Sequence, residues 1–129
     1  MPQPFRSGRV RKTIGRKVTP PERRGGPRER GYDARWDRIS AAHRRRNPFC
    51  AECERKGRLT FVDVVDHKIP VADGGPIHDP ANHWSLCRGC HAGVKADLER
   101  IAHASGQVHR LIEWCDRPET RPQIRGEIR

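Results

Sequence analysis

The first regular pattern of hydrophobic positions in the chain is helical. Between residues 32 and 46 the larger side chains recur at the spacing of one helix face, which predicts a helix that begins near Tyr32 or Asp33. Asn47-Pro48 should end this helix, because the residue before a proline is disfavoured in helical conformation. The positions on the predicted face are Tyr32, Trp36, Ile39 and His43.

The middle of the chain has the pattern of a hairpin followed by a second helix. Arg58 to Asp66 is rich in β-branched residues and predicts a strand, and a short second strand is expected around His83 to Leu86. Prolines and glycines between Ile69 and His78 indicate the connecting loop. Cys87 should open a helix, so the pattern as a whole predicts an α+β fold. The apolar face of that helix would carry Cys90, Val94, Leu98 and Ile101.

The length of the chain allows one small domain with tails. Of the 129 residues, we expect 1–30 to be a basic and flexible N-terminal arm, 31–112 to be the folded domain, and 113–129 to be a polar C-terminal tail. Only 33% of the residues are hydrophobic. A core drawn from so few apolar side chains is thin, and domains of this size often need a metal ion or disulfides as reinforcement.

The charge of the chain favours a polyanionic partner. The formal net charge is +11, and residues 1–30 contain ten lysines and arginines against two glutamates. Such a segment binds nucleic acid by releasing counterions, although it could also serve only to keep the protein in solution. The sequence shows no signal peptide or long apolar run, so we expect no membrane association and a reducing, cytoplasmic location.

Four of the five cysteines form two close pairs, Cys50/Cys53 and Cys87/Cys90, with 33 residues between the pairs. Two Cys-x-x-Cys turns can deliver the four ligands of a tetrahedral structural Zn²⁺ site, which would be closed to substrate. Two disulfides or four unrelated thiols are the alternatives. Cys115 has no partner at a ligand spacing and is expected to be a small buried or partly exposed hydrophobic residue.

A second group of polar residues lies between and beside the cysteine pairs. Asp66 and His67 end the predicted strand, Asn82 lies before the second strand, and His91 follows Cys90 directly. Phosphodiester hydrolysis needs a base to activate water and a cation to offset charge on the phosphate. A carboxylate and histidines held by a zinc-fixed scaffold can supply both, with Asn82 bracing the loop and orienting the His67 ring.

These residues resemble the HNH endonuclease family, whose ββα-metal core is a hairpin followed by a helix. The matching segments are CAEC (50–53), VVDHKIPVADGG (64–75), NHWSLC (82–87) and CRGCH (87–91), and RGYDARWDRI (30–39) is similar to short HNH proteins of phage genomes. The resemblance covers roughly residues 30–95.

The resemblance implies roles for the individual residues. His67 would be the general base, Asp66 and His91 would hold one catalytic divalent cation, and Asn82 would organise the site. Mixed oxygen and nitrogen ligands suit Mg²⁺ or Mn²⁺ and also accept Ni²⁺, Co²⁺ or Zn²⁺. Many relatives have CHxxK, whereas Lys95 here follows His91 by four residues. We still expect Lys95 to approach a phosphate.

Two functions follow as hypotheses. In the first, the protein is a metal-dependent DNA endonuclease of low sequence specificity that leaves a 5′-phosphate. In the second, it is a zinc-stabilised nucleic-acid-binding module without catalysis. Phage relatives suggest packaging partners, namely the terminase large subunit and the portal, while the oligomeric state does not follow from the sequence. The residues expected to contact DNA phosphates, besides Lys95, are Arg44, Arg45 and Arg46.

Overall fold

The computed structural model of the protein describes residues 33–124. Helix α1 (Ala34–Arg46) begins where the Asp33 carboxylate accepts hydrogen bonds from the backbone N–H groups of Arg35 and Trp36, both at 3.1 Å. It ends at Asn47, as predicted. Of the described members of the expected face, Trp36 and His43 are buried and Ile39 is partly buried. Tyr32 and the expected N-terminal arm lie outside the described residues.

Helix α2 (Ala51–Arg55) is a short turn that carries the first cysteine pair, and the Cys50 thiol caps its N-terminus. The chain then runs back in extended form alongside the segment before Cys50. Phe49 and Phe61 form an isolated antiparallel bridge, and the Cys50 N–H donates to the Thr60 carbonyl at 2.7 Å. Residues 49–57, which we call the cysteine knuckle, are therefore closed off by the segment that follows them.

Strands β1 (Val64–His67) and β2 (His83–Leu86) form a two-stranded antiparallel sheet in which Asp66 pairs with Trp84. The second strand lies where the sequence placed it. The first is shorter than the predicted Arg58 to Asp66, because β2 offers only four residues before the chain turns into the second cysteine pair. Residues 58–63 pair instead with the knuckle through the Phe49–Phe61 bridge.

The second cysteine pair opens a long helix made of three consecutive segments: α3 (Arg88–Cys90), a π-helical turn (His91–Lys95) and α4 (Ala96–Ser105). The π turn contains one residue more than an α-helical turn and shifts the buried face along the chain. Cys90 and Leu98 are buried as predicted, while Val94 and Ile101 are only partly buried. The buried positions from the end of the π turn onward are Lys95, Leu98 and Ala102.

The C-terminal part of the described chain packs on the domain, although the sequence suggested a polar tail from residue 113. Helix α5 (Leu111–Asp116) buries Trp114 and Cys115, and Ile124 is buried beyond it. The polar residue in this stretch with the deepest burial is Arg121, whose guanidinium pairs with the Glu52 carboxylate of α2. Burial of this ion pair explains why a stretch of polar sequence becomes part of the fold.

Two clusters of apolar side chains support these elements. One joins the cysteine pairs to Trp84, Leu86 and Cys115, and the other joins α4 to α5 around Leu98 and Trp114. The predicted α+β architecture is confirmed. It consists of the hairpin with its following helix, the preceding α1, and the two cysteine pairs brought together in one cluster. Within residues 33–124 no helix is long and apolar enough to cross a membrane.

Candidate functional site

The four paired cysteines come together in one cluster. The Sγ atoms of Cys50, Cys53, Cys87 and Cys90 all lie within 4.8 Å of one another. The Cys53 sulfur is 3.8 Å from those of Cys87 and Cys90. These sulfurs are too far apart for disulfide bonds, whose sulfurs are about 2.05 Å apart. The separations are those of four thiolates around a single cation, so the cluster is positioned to bind a metal ion.

The surroundings of the cluster favour thiolates on one side and penalise them on the other. A hydrogen bond with the Thr60 side chain has the largest effect on Cys53 and lowers its pKa. Burial raises this pKa, a contact with Arg58 lowers it, and the net result is a pKa of about 7. Burial raises the pKa of Cys50 and of Cys90. A bound cation would offset that cost, because metal ligation removes the thiol protons.

Asp66 and His91 meet across the sheet and the long helix. The Asp66 Oδ2 lies 3.4 Å from the His91 Nε2, and the second carboxylate oxygen accepts a hydrogen bond from the His67 backbone N–H at 2.8 Å. Both side chains retain contact with solvent, and His91 is the more exposed. One carboxylate and one imidazole at this separation can share a divalent cation and leave coordination positions for water and phosphate oxygens.

Lys95 lies beside Asp66 on the side that faces the protein interior. Its side chain is only 1% exposed, and its Nζ donates to Asp66 Oδ2 at 3.1 Å and to the His67 carbonyl at 2.8 Å. Glu99 completes the set as a third acceptor. Burial alone would lower the pKa of Lys95, but the carboxylates of Asp66 and Glu99 outweigh it and raise the pKa. The ammonium group is buried, and its three hydrogen-bond donors already have protein acceptors. The expectation that Lys95 approaches a DNA phosphate therefore does not fit the structure.

His67 is held in a fixed orientation on the other side of β1. Its residue is 2% exposed, its ring centroid lies 4.4 Å from that of Trp36, and its Nε2 is 2.9 Å from the Ile77 carbonyl oxygen. A carbonyl only accepts, so this contact places the ring proton on Nε2 and makes Nδ1 the basic nitrogen. Burial lowers the pKa of His67 despite the Ile77 contact, which keeps the imidazole neutral at pH 7.

Asn82 organises the loop between the strands. It is buried, its Oδ1 accepts from the Ile69 N–H at 2.8 Å, and its Nδ2 donates to the carbonyls of Ile69 and Pro76 at 3.0 and 3.1 Å. We expected Asn82 to brace the loop and so orient the His67 ring. The structure shows that Ile77, next to Pro76, contacts the ring, so Asn82 acts on the ring one step away.

Gly75 lets the same loop close tightly. A Cβ at this position would lie 1.9 Å from the Ile69 carbonyl oxygen and 3.0 Å from the Asn82 Nδ2. Any side chain there would displace the backbone that Asn82 holds. This explains the second glycine of the ADGG segment in physical terms.

The three consecutive arginines lie at the C-terminal end of α1. Arg44, Arg45 and Arg46 are all exposed, and the Arg44 guanidinium donates to the Asp63 carbonyl at 3.4 Å, just before β1. The structure therefore places this basic run beside the entry of the strand that carries Asp66 and His67. His83 is buried, and its Nε2 contacts the same Ile77 carbonyl at 2.8 Å. His83 thus contributes to the packing around His67.

Sequence reasoning missed three contributors to this site. They are the Ile77 carbonyl, the Trp36 ring against His67, and Glu99, which completes the set around Lys95. The i,i+4 spacing of Lys95 and Glu99 was visible in the sequence and could have indicated their pairing. The other two contacts depend on tertiary packing.

Comparison with known proteins agrees with the geometry. Residues 50–96 match the sequence model of the family described as HNH endonuclease. A solved structure, the HNH endonuclease of the deep-sea thermophilic bacteriophage GVE2 with manganese ion, is 26% identical, covers 62% of this chain and 83% of its own, and has a TM-score of 0.47. No curated protein matches the chain. The family match falls on the cysteine knuckle, the hairpin and the start of the long helix, which are the elements that bring the polar residues of this site together.

Proposed function

We propose that the protein is a metal-dependent endonuclease that hydrolyses DNA phosphodiester bonds. The observation that carries the proposal is the approach of Asp66 Oδ2 and His91 Nε2 to 3.4 Å, with His67 next to Asp66 in the strand. The match to the HNH endonuclease model supports it, since all three residues lie within the matched range, 50–96. A protein that only bound nucleic acid would have no need of this set.

Asp66 and His91 are the proposed ligands of one divalent cation, with Mg²⁺ or Mn²⁺ as the first choices and Ni²⁺, Co²⁺ or Zn²⁺ as alternatives. The donor set fits, because a partly exposed carboxylate oxygen and an imidazole nitrogen are already close together. When bound, the cation would supply positive charge against the scissile phosphate.

His67 is the proposed general base. Its Nε2–H donates a hydrogen bond to the Ile77 carbonyl, and Nδ1 is the proposed acceptor of a proton from water as the water oxygen attacks phosphorus. Contact with Trp36 restricts rotation of the ring. Asn82 is the proposed positioning residue for the loop that supplies the Ile77 carbonyl.

The cysteine cluster is proposed to hold a structural Zn²⁺. Four sulfur ligands fill a tetrahedral coordination sphere and leave no position for substrate. The cluster also fixes the helix on which His91 lies, because Cys90 precedes His91 directly. Loss of zinc should therefore disable cleavage although no cysteine takes part in the reaction.

DNA binding is proposed to involve the exposed run of Arg44, Arg45 and Arg46. Guanidinium groups pair with phosphates without regard to sequence, which is consistent with low sequence specificity. The net charge of +11 favours the same partner. A role in phage DNA packaging, with the terminase large subunit and the portal as partners, is supported only by the likeness of residues 30–39 to short phage HNH proteins. Co-purification with a terminase subunit from the same genome would test it.

One observation favours the alternative, a zinc-stabilised nucleic-acid-binding module without catalysis. Lys95 already supplies a positive charge to Asp66, and His67 is nearly fully buried. Because the Lys95 ammonium already neutralises the Asp66 carboxylate, this arrangement would be stable without a bound cation and without catalysis. The cleavage assay separates the two functions.

The deciding experiment is cleavage of supercoiled plasmid DNA with Mg²⁺, Mn²⁺, Ni²⁺, Co²⁺ or Zn²⁺ added in turn. The wild type should nick or linearise the plasmid, and His67→Ala should not, while keeping its fold and zinc content. His109→Ala is the matched control, because His109 is exposed. Cleavage by His67→Ala at the wild-type rate would refute the general-base assignment. Absence of cleavage by the wild type with every cation, with DNA binding retained, would establish the alternative.

A further inference from the structure

The two exposed large hydrophobic side chains in the described part of the chain stand next to each other. Leu59 and Phe61 are each 73% exposed. They are two residues apart in an extended segment, so their side chains lie on the same side of the backbone. The residue between them, Thr60, points the opposite way, since it interacts with the Cys53 thiol. We call Leu59 and Phe61 the apolar tip.

The apolar tip is rigidly supported. The Phe61 ring stacks on the Phe49 ring at 5.4 Å, and the segments of the two residues are bonded through Cys50 N–H to Thr60 and through Val62 N–H to Pro48, at 2.7 and 2.9 Å. The segment also closes onto the cysteine knuckle. Because the segment is held in place, Leu59 and Phe61 cannot fold back onto the protein to leave solvent. A rigid exposed apolar pair of this kind marks a contact surface.

The charges around the tip select the partner. The exposed arginines 44–46 end the helix that leads to Phe49, and the Arg44 guanidinium reaches the Asp63 carbonyl, two residues after Phe61. The nearby carboxylate of Asp63 is engaged by the Arg88 backbone N–H at 2.7 Å, and the Asp63 carbonyl holds the Arg44 guanidinium. An apolar pair beside an exposed run of arginines is complementary to DNA, whose phosphates flank stacked apolar base faces.

The shape of the tip distinguishes a wedge from a stacking platform. One face of the Phe61 ring lies against Phe49, and the neighbouring Leu59 is aliphatic, so the tip does not offer a flat aromatic surface to a single base. Proteins that enter the minor groove insert Phe or Leu between base steps and unstack them, with arginines on the flanking phosphates. We propose that Leu59 and Phe61 form a wedge that inserts into duplex DNA and unstacks a base step beside the cleavage site.

The position of the tip fixes where the unstacked step should lie. Asp66 follows Phe61 by five positions of extended chain. The distance between their Cα atoms is therefore at most about 16 Å at ~3.3 Å per residue. With ~3.4 Å per base along a strand, the step lies within about five base pairs of the cut phosphate. The proposal rests on the proposed DNA endonuclease function and adds a site that would favour flexible or mismatched steps.

The test uses the full-length protein with His67→Ala, which prevents cleavage, and a 25-base-pair duplex labelled with fluorescein and with 2-aminopurine at successive positions. Binding should raise 2-aminopurine fluorescence at one step, because unstacking relieves its quenching. Phe61→Ala with Leu59→Ala should abolish that rise and weaken binding by about tenfold, the size expected for loss of apolar contact with bases. Phe61→Tyr, which keeps the ring, is the matched control and should retain both signals.

Salt dependence provides a second readout. Removal of the tip should leave the slope of log K against log salt unchanged, since no phosphate contact is lost, whereas Arg45→Ala should reduce it by about 0.9. Unchanged affinity and fluorescence in the tip variant would overturn the proposal. It would also be overturned if the variant lost only self-association in sedimentation, because the tip would then cover a second copy of the protein.

Failure of the endonuclease function is recognised separately. Wild-type protein that shows the fluorescence rise but never cuts plasmid DNA would refute the nuclease and leave the wedge in place. Protein that cuts DNA normally without unstacking any step would refute the wedge alone.

Discussion

Replacement of Arg121 by methionine tests how the C-terminal segment is held to the cysteine knuckle. The side chains of Arg121 and Glu52 are 0% and 1% exposed, and two guanidinium nitrogens donate to the two carboxylate oxygens at 2.9 and 3.2 Å. The Arg121 Nε also donates to the Trp114 carbonyl at 3.0 Å. Methionine keeps most of the apolar stem and removes every one of these bonds.

The loss should be large because Glu52 stays buried. Removal of one partner of a buried ion pair costs about 3–5 kcal/mol, since the other charge is left uncompensated. Arg55 still pairs with Glu52 at 2.6 Å and is itself partly exposed, which places the expected loss near the lower end, about 3 kcal/mol. In a domain of this size, that corresponds to a fall in Tm of about 15 °C.

Urea and thermal unfolding of the zinc-loaded protein at pH 7 would measure this loss, and chelator competition would measure zinc retention. Glu52 lies between Cys50 and Cys53, so zinc should also be released more readily. The matched control is Arg117→Met, which removes a pair with Glu113 at 3.6 Å whose arginine is 63% exposed. Its cost should be below about 1 kcal/mol. If Arg121→Met cost no more than Arg117→Met, the buried pair would not be what anchors this segment.

Three further outcomes follow from the structure. Cys87→Ser should lose the bound zinc and unfold the domain, as judged by metal analysis and circular dichroism, and a well-folded zinc-free variant would contradict the structural role of the cluster. Lys95→Met should lower metal-free stability by about 2 kcal/mol, because Asp66 and Glu99 lose their cation but keep some solvent, and added Mn²⁺ should restore part of the melting temperature. Burial, followed by nearby positive charges, lowers the pKa of His43 below its ordinary 6.5. Its contribution to stability is thus complete above pH 6.5 and is lost as pH falls through the lower folded pKa. His43→Phe should therefore flatten the decline in unfolding free energy between pH 7 and 5, and an equally steep decline would contradict this assignment.

The fold was accessible from the sequence where a pattern is local. Helix periodicity located α1, the Asp33 cap and Asn47-Pro48 set its ends, and the Cys-x-x-Cys turns indicated a shared metal site. The ordered motif from Cys50 to His91 indicated a resemblance to the HNH endonuclease family, whose sequence model matches residues 50–96. The pairing of Asp66 with His91 also followed from that order.

The features that the sequence did not determine depend on contacts between distant segments. A π turn, which has one residue more than an α-helical turn, places Lys95 between Asp66 and Glu99 rather than at the expected surface, and no periodicity analysis locates such a turn. Arg121 looked like part of a polar tail because its partner, Glu52, lies 69 residues away. The sequence by itself therefore determined which elements form and which chemistry they carry, since these follow from local propensity and spacing. Only the tertiary structure decided which charges are buried together and which apolar residues stay exposed, because those outcomes depend on the whole packed chain.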